Sequence, residues 1–213
     1  MGSLRITEIF YSLQGESNTV GLPTVFIRLT GCPLRCGYCD TAYAFTGGKK
    51  MAIDAIISEV EQYGCRYVTV TGGEPLAQPG CLELMAQLLD KGHKVSLETS
   101  GALDVADVDP RVVKVMDLKT PSSGEASKNR YENIKHLSPK DQVKFVIGTA
   151  EDYDWSKAII QQYNLADCCE ILFSPVMGQQ QPTELAEKIL QDRLPVRFQI
   201  QLHKLLWHDA QGK

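Results

Sequence analysis

The sequence has no apolar run long enough to cross a bilayer, and its first residues, Met1–Thr7, form no hydrophobic signal segment. These absences predict a protein that stays in the cytoplasm and has no membrane partner. An excess of positive charge is missing too. The 213 residues carry 22 Lys and Arg against 26 Asp and Glu, for a net charge of −4. That argues against a broad nucleic-acid footprint and leaves room for a small anion site. Repeats of about 20–50 residues and low-complexity tracts are absent, which excludes solenoids and disordered arrays. Paired Cys or His motifs of structural zinc spacing are also lacking. An odd count of seven cysteines in a reducing compartment does not make a disulfide framework.

What is present is a core. Hydrophobic residues make up 43% of the chain, enough for one domain over residues 1–213 but not for two. Short β-branched runs predict strands at Val25–Leu29, Tyr67–Thr71, Val95–Glu98, Val112–Asp117, Gln142–Ile147, Glu170–Ser174 and Val196–Ile200. Between them, Ile53, Ile56, Ile57 and Val60 make one helical stripe, and Leu82, Met85, Leu88 and Leu89 another. Weaker helical patterns cover Lys128–Leu137, Trp155–Tyr163 and Thr183–Gln191. The polar stretches Gly47–Lys50 and Thr120–Asn129 read as loops, and the tail Asp209–Lys213 as frayed. Strands alternating with helices imply an α/β fold with a mostly parallel sheet. Seven strands fall short of a closed eightfold barrel, so a partial, open βα barrel is expected.

In such folds ligands bind beyond the carboxyl ends of the strands. The chemically loaded residues fall there: Cys32, Cys36 and Cys39 after the first predicted strand, Gly72–Glu74 after the second and Thr99–Ser100 after the third. Lys119 follows the fourth, and Ser174 closes the sixth. The segment Gly31-Cys32-Pro33-Leu34-Arg35-Cys36-Gly37-Tyr38-Cys39-Asp40 places three thiols within eight residues. Soft thiolates select zinc or iron–sulfur. A closed zinc site needs a fourth ligand, and none offers itself. Cys65 and Cys81 stand alone, and Cys168–Cys169 are adjacent in a predicted strand, where their side chains should face opposite ways. Three ligands leave one coordination position open, which suits chemistry better than scaffolding. Glu74, after two glycines that permit close backbone approach, offers a carboxylate to a positive group. Arg28 lies within an apolar strand, so it must face a ligand or pair with Glu8 or Glu16.

The CxxxCxxC spacing, with Tyr38 before the last cysteine and Gly72-Gly73-Glu74 downstream, resembles the signature of the radical S-adenosylmethionine superfamily. The strings FYSLQGES, PTVFIRLTGCPLRCGYCDT, TGGEP, ETSG, MDLKTPSSGE and QLHKLLW extend that likeness over nearly the whole chain. Together they closely resemble the 7-carboxy-7-deazaguanine synthases. The resemblance implies a carbon–nitrogen lyase that converts 6-carboxy-5,6,7,8-tetrahydropterin to 7-carboxy-7-deazaguanine with loss of ammonia, on the route to queuosine. It implies a 4Fe–4S cluster on Cys32, Cys36 and Cys39, bound S-adenosylmethionine, Mg²⁺ on Thr41, a homodimer, and an external electron donor such as flavodoxin or ferredoxin. Carried over by position, Leu13, Gln14, Gly15, Glu16, Arg28 and Thr71 contact the pterin. Tyr38, Cys39, Asp40, Gly73, Glu74, Ser100, Asp117, Leu118 and Lys119 contact S-adenosylmethionine, Glu74 through the methionine ammonium. No residue is assigned as a catalytic acid or base. Two rival readings are a glycyl-radical activase, which needs a broad protein-binding groove, and a simple electron-transfer or zinc module, which needs a fourth cysteine.

Overall fold

The computed structural model describes residues 2–208 and 210–212. Nine strands form one sheet: β1 (Ser3–Leu13), β2 (Pro23–Leu29), β3 (Lys49–Ala52), β4 (Tyr67–Gly72), β5 (Lys94–Thr99), β6 (Val113–Leu118), β7 (Gln142–Ile147), β8 (Glu170–Pro175) and β9 (Arg197–Phe198). Their order is β3-β1-β2-β4-β5-β6-β7-β8-β9. From β2 to β9 every neighbouring pair is parallel, while β1 runs antiparallel to both β2 and β3. The edge strands β3 and β9 do not pair with each other, so the sheet stays open. It is the partial, open barrel that the sequence predicts.

Strand alternation divides the two faces. One parity is apolar and fully buried: Val25, Ile27 and Leu29 on β2, Val68 and Val70 on β4, Val95 and Leu97 on β5, and Val143, Phe145 and Ile147 on β7. The helices pack on that outer face. Helix α1 (Ile53–Gln62) buries the predicted Ile53, Ile56, Ile57 and Val60, and α2 (Gly80–Asp90) buries Cys81, Leu84, Met85 and Leu88. Helix α3 (Ala150–Gln162) opens on a capping box in which Thr149 and Asp152 satisfy each other's backbone N–H groups. A four-residue helix, α4 (Leu165–Cys168), precedes β8. Helix α5 (Pro182–Asp192) starts with Pro at a position where no N–H is needed. The opposite parity carries Arg28, Thr71, Glu98, Asp117 and Lys144, and faces the inside of the barrel.

Several expectations are corrected. Strands β1 and β3 were not predicted: β3 is a four-residue edge with two exposed lysines, and β1 has a blurred burial pattern because it is antiparallel and lies near the open side. Gly47–Lys50 therefore ends in a strand rather than in a loop. The last strand shrinks to Arg197–Phe198. Lys128–Leu137 is not an α-helix; 3₁₀ turns at Ala126–Lys128 and Tyr131–His136 replace it. Cys168 ends α4 and Cys169 follows it, so the two thiols meet at 3.8 Å instead of facing apart. A further short helix, α6 (Leu202–Trp207), was not expected either. Within the tail, Asp209 and Lys213 lie outside the described residues, while Ala210–Gly212 line the barrel cavity.

Candidate active site

A cavity of about 270 Å³ opens inside the barrel. Cys32, Cys36 and Cys39 line one wall of it, all free and partly exposed. Burial raises the Cys32 and Cys36 thiols above their ordinary value, and the Lys119 ammonium pulls both the other way. Their loop is held by its backbone: Gly37 N–H donates to Ser123 O at 3.0 Å, and Cys39 N–H to Cys36 O at 3.2 Å. The glycine turn braces it from below, with Gly73 N–H on Leu29 O at 3.2 Å and Glu74 N–H on Gly31 O at 2.8 Å. A Cβ on Gly73 would fall 2.2 Å from Gly31 O and 2.7 Å from Cys32 Cβ. Glycine is needed there so that the two loops can touch.

The three thiols fit a cluster with one open position. They are soft donors that line the same cavity, and none of the other four cysteines is in its lining. Tyr38, in the same loop, lines the cavity with its hydroxyl 3.5 Å from Thr120 Oγ1, and burial pushes its phenol up to about 12. Asp40 accepts from Thr41 Oγ1 at 2.7 Å and from Lys204 Nζ at 3.0 Å. Ser100, Gly73, Asp117 and Lys119 also face the cavity. Asp117 Oδ2 lies 3.1 Å from Lys119 Nζ.

Two predicted contacts do not reach it. The Glu74 carboxylate is fully buried, and it accepts from Thr99 Oγ1 at 2.9 Å, from Ser100 N at 2.7 Å and Ser100 Oγ at 2.5 Å, and from Leu76 N at 3.0 Å. It fastens the ends of β4 and β5 together and offers no oxygen to an ammonium in the cavity. Leu118 points outward into the apolar core behind the sheet. Ser174, noted at the end of the sixth predicted strand, is likewise buried and does not line the cavity.

At the other end, Leu13, Gln14, Gly15, Glu16, Arg28 and Thr71 all line the cavity. Arg28 does both things the sequence left open. Its Nε donates to Glu8 Oε1 at 2.7 Å, directly across the β1–β2 ladder. Its guanidinium lies 5.6 Å from the Phe10 ring centre and 5.8 Å from that of Tyr43. Arg28 lines the cavity, and among the described residues Nε is its one hydrogen-bonded nitrogen, so neither Nη group has an acceptor there. Gln14 Nε2 donates to Thr69 Oγ1 at 3.1 Å and to Glu98 Oε1 at 3.4 Å, and Thr71 Oγ1 donates to Glu98 Oε2 at 3.1 Å. Burial raises the Glu98 carboxyl above its ordinary range, and Lys144 opposes the shift. A Cβ on Gly15 would fall 2.1 Å from His203 Nδ1, so glycine lets the C-terminal segment close over the cavity.

Sequence reasoning missed Lys144, Gln201, His203 and Lys204 as lining residues. Lys144 carries the same signal as Arg28, a charge within an apolar strand. The C-terminal residues carry no such signal.

Comparison with known proteins agrees with this geometry. A family model described as the radical SAM superfamily matches residues 26–120. A 7-carboxy-7-deazaguanine synthase from Chlorobaculum tepidum is 46% identical, over 98% of this chain and 97% of its own. One from Koribacter versatilis is 41% identical, over 96% and 97%. The chain belongs to the 7-carboxy-7-deazaguanine synthase family. It is therefore an enzyme of the lyase class, and its family membership implies a 4Fe–4S cluster and S-adenosylmethionine. The crystal structure of QueE from Escherichia coli shares the fold of this family member, with a TM-score of 0.79 at 22% identity over 94% of this chain and 95% of that one. Both rival readings fall with these matches.

Proposed function

We propose that this chain converts 6-carboxy-5,6,7,8-tetrahydropterin to 7-carboxy-7-deazaguanine and ammonia, as a single radical S-adenosylmethionine domain over residues 1–213 in the cytoplasm. The observation that carries the reading is one cavity lined both by three thiols and by an arginine whose Nη groups have no acceptor among the described residues. Cys32, Cys36 and Cys39 would hold a 4Fe–4S cluster, which when bound would supply the single electron for reductive cleavage of S-adenosylmethionine to methionine and a 5′-deoxyadenosyl group. The Arg28 Nη groups pair with the pterin carboxylate, a geometry that guanidinium satisfies with two parallel bonds. Gln14, Thr71 and Glu98 offer an amide, a hydroxyl and a carboxyl to the ring's polar edge. Phe10, stacked on Phe26 at 4.9 Å, makes an apolar side that excludes water. Asp117, Lys119, Ser100 and Tyr38 frame S-adenosylmethionine.

The electron comes from an external donor such as flavodoxin or ferredoxin. A homodimer belongs to the same proposal. Among the described residues no helix is long and apolar enough to cross a membrane. Anaerobic reconstitution with iron and sulfide, followed by turnover with dithionite, S-adenosylmethionine and carboxypterin, tests the reading. The expected products are 5′-deoxyadenosine, ammonia and the deazapurine. Formation of 5′-deoxyadenosine with neither of the other two would remove the substrate assignment.

Mg²⁺ on Thr41 belongs to the same proposal. Thr41 precedes the short 3₁₀ helix Ala42–Phe45 but does not cap it with its side chain. Its hydroxyl instead donates to Asp40, which leaves its lone pairs to accept a cation. One neutral oxygen binds Mg²⁺ poorly, so substrate oxygens and water must complete an octahedron. Mg²⁺ should then bind weakly without carboxypterin and tightly with it. Thr41→Ala should raise the Mg²⁺ concentration for half-maximal turnover several-fold. Superimposable Mg²⁺ titrations of the two proteins would mean that Thr41 is not the ligand.

A further inference from the structure

We propose that Lys144 is a positioning residue that holds the Glu16 and Asp117 carboxylates in one frame, linking the pterin end of the cavity to the S-adenosylmethionine end. The proposal rests on the function proposed above and adds a residue that neither motif contains. Lys144 sits mid-strand on β7, at the inward parity, and is 8% exposed. A buried ammonium needs paired acceptors, since desolvating it alone is costly. Its Nζ has two of them. It hydrogen-bonds Glu16 Oε2, and Asp117 Oδ2 lies 3.4 Å away. Asp117 is its direct partner in the β6–β7 register.

Each carboxylate also has partners of its own. Asp117 also holds Lys119 at 3.1 Å, beside the cysteine wall. Glu16 follows Gln14 and Gly15, and its Oε1 accepts from Gln201 Nε2 at 2.6 Å. Leu202 N–H donates to Gly15 O at 3.0 Å, so the Glu16 segment is fastened to the C-terminal segment. Burial alone would raise the Glu16 carboxyl; Lys144, together with Gln201 and His203, brings it below its ordinary value. The other charged or titratable groups that face Lys144 are Glu98 on β5, Asp40 in the cysteine loop, Lys119 just after β6 and His203 from α6. One ammonium thus joins the β1–β2 loop, β6 and, through Glu16, the end of the chain. Without it, two neighbouring buried carboxylates, one from the β1–β2 loop and one from β6, would lose the ammonium they share.

The test uses reconstituted, unreduced enzyme, so that ligands bind without turnover. Carboxypterin and S-adenosylmethionine are titrated separately into wild type, Lys144→Met, Lys144→Arg, Glu16→Gln, Asp117→Asn and the double variants K144M/E16Q and K144M/D117N. Lys144→Met should weaken both ligands by about tenfold or more, the range of a lost charge-assisted hydrogen bond. Glu16→Gln should weaken mainly the pterin and Asp117→Asn mainly S-adenosylmethionine. Adding K144M to E16Q should cost little more for the pterin, and adding it to D117N little more for S-adenosylmethionine, because each pair acts through one contact. Lys144→Arg should recover most of the loss. A plain core ion pair predicts the contrary: a lower melting temperature, with both dissociation constants within twofold of wild type. That result, or additive losses in both double variants, overturns the proposal. If Lys144→Met fails to fold, Lys144→Gln reads out the same cycles. If wild type does not bind carboxypterin at all, the substrate assignment fails, and the S-adenosylmethionine arm still decides the place of Lys144.

Discussion

Cys36→Ala should give a folded protein that holds almost no iron–sulfur cluster and forms no 5′-deoxyadenosine. Two remaining thiolates cannot hold three irons, and no other cysteine stands near: Cys65 and Cys81 pack with the core behind the sheet, and Cys168 and Cys169 follow α3. Stability should change little. The loop is held by backbone hydrogen bonds from Gly37 and Cys39, and the Cys36 side chain is only partly buried. A surface-like substitution of that kind shifts stability by about 0.5 kcal/mol or less. Iron and sulfide content, 5′-deoxyadenosine yield and a thermal melt, each against wild type, check the three parts. An intact cluster with full cleavage activity in the variant would show that the cluster sits elsewhere.

Arg28→Ala should weaken carboxypterin binding by about 10- to 100-fold, equivalent to about 1.5–3 kcal/mol for a hydrogen bond to a charged partner. The Nη groups have no protein acceptor among the described residues, so their loss falls on the ligand. The Glu8 pair accounts for the Nε side of the same guanidinium. Glu8 keeps the Tyr43 hydroxyl at 2.7 Å after the substitution, so it is not left bare. Arg28→Lys should fall between the two, because an ammonium keeps the charge and loses the fork. Direct titration into unreduced enzyme measures the effect. If affinity is unchanged and only the melting temperature drops, Arg28 serves Glu8 alone.

Glu74 shows how far a motif reads. Gly72-Gly73-Glu74 sits after a strand, where a sequence reader expects a ligand contact. The glycines do meet the cysteine loop, within distances that no Cβ would allow. The Glu74 carboxylate turns the other way, into four donors from β5 and its own turn. Side-chain direction at a strand end is set by which neighbour offers donors, and Thr99 and Ser100 come from about 25 residues downstream. Lys144 is the converse case. No motif marks it, yet strand parity, which is readable, places it inward beside Asp117.

By itself the sequence determined the parallel βα order, the outer apolar face of each strand and the cysteine loop. Those depend on local rules: alternation with period two, helical stripes, and three thiols within one short turn. It also carried the family likeness, since motifs in order along the chain need no knowledge of contacts. Only the tertiary structure decided that β1 and β3 extend the sheet antiparallel past β2, and that Cys168 and Cys169 lie side by side at a helix end. It likewise decided which charges meet inside the barrel. Glu16 meets Lys144 across 128 residues of sequence and Gln201 across 185, because the open sheet curls the ends of the chain toward one another. Such pairings arise from closure of the whole fold, and no local stretch of sequence encodes them.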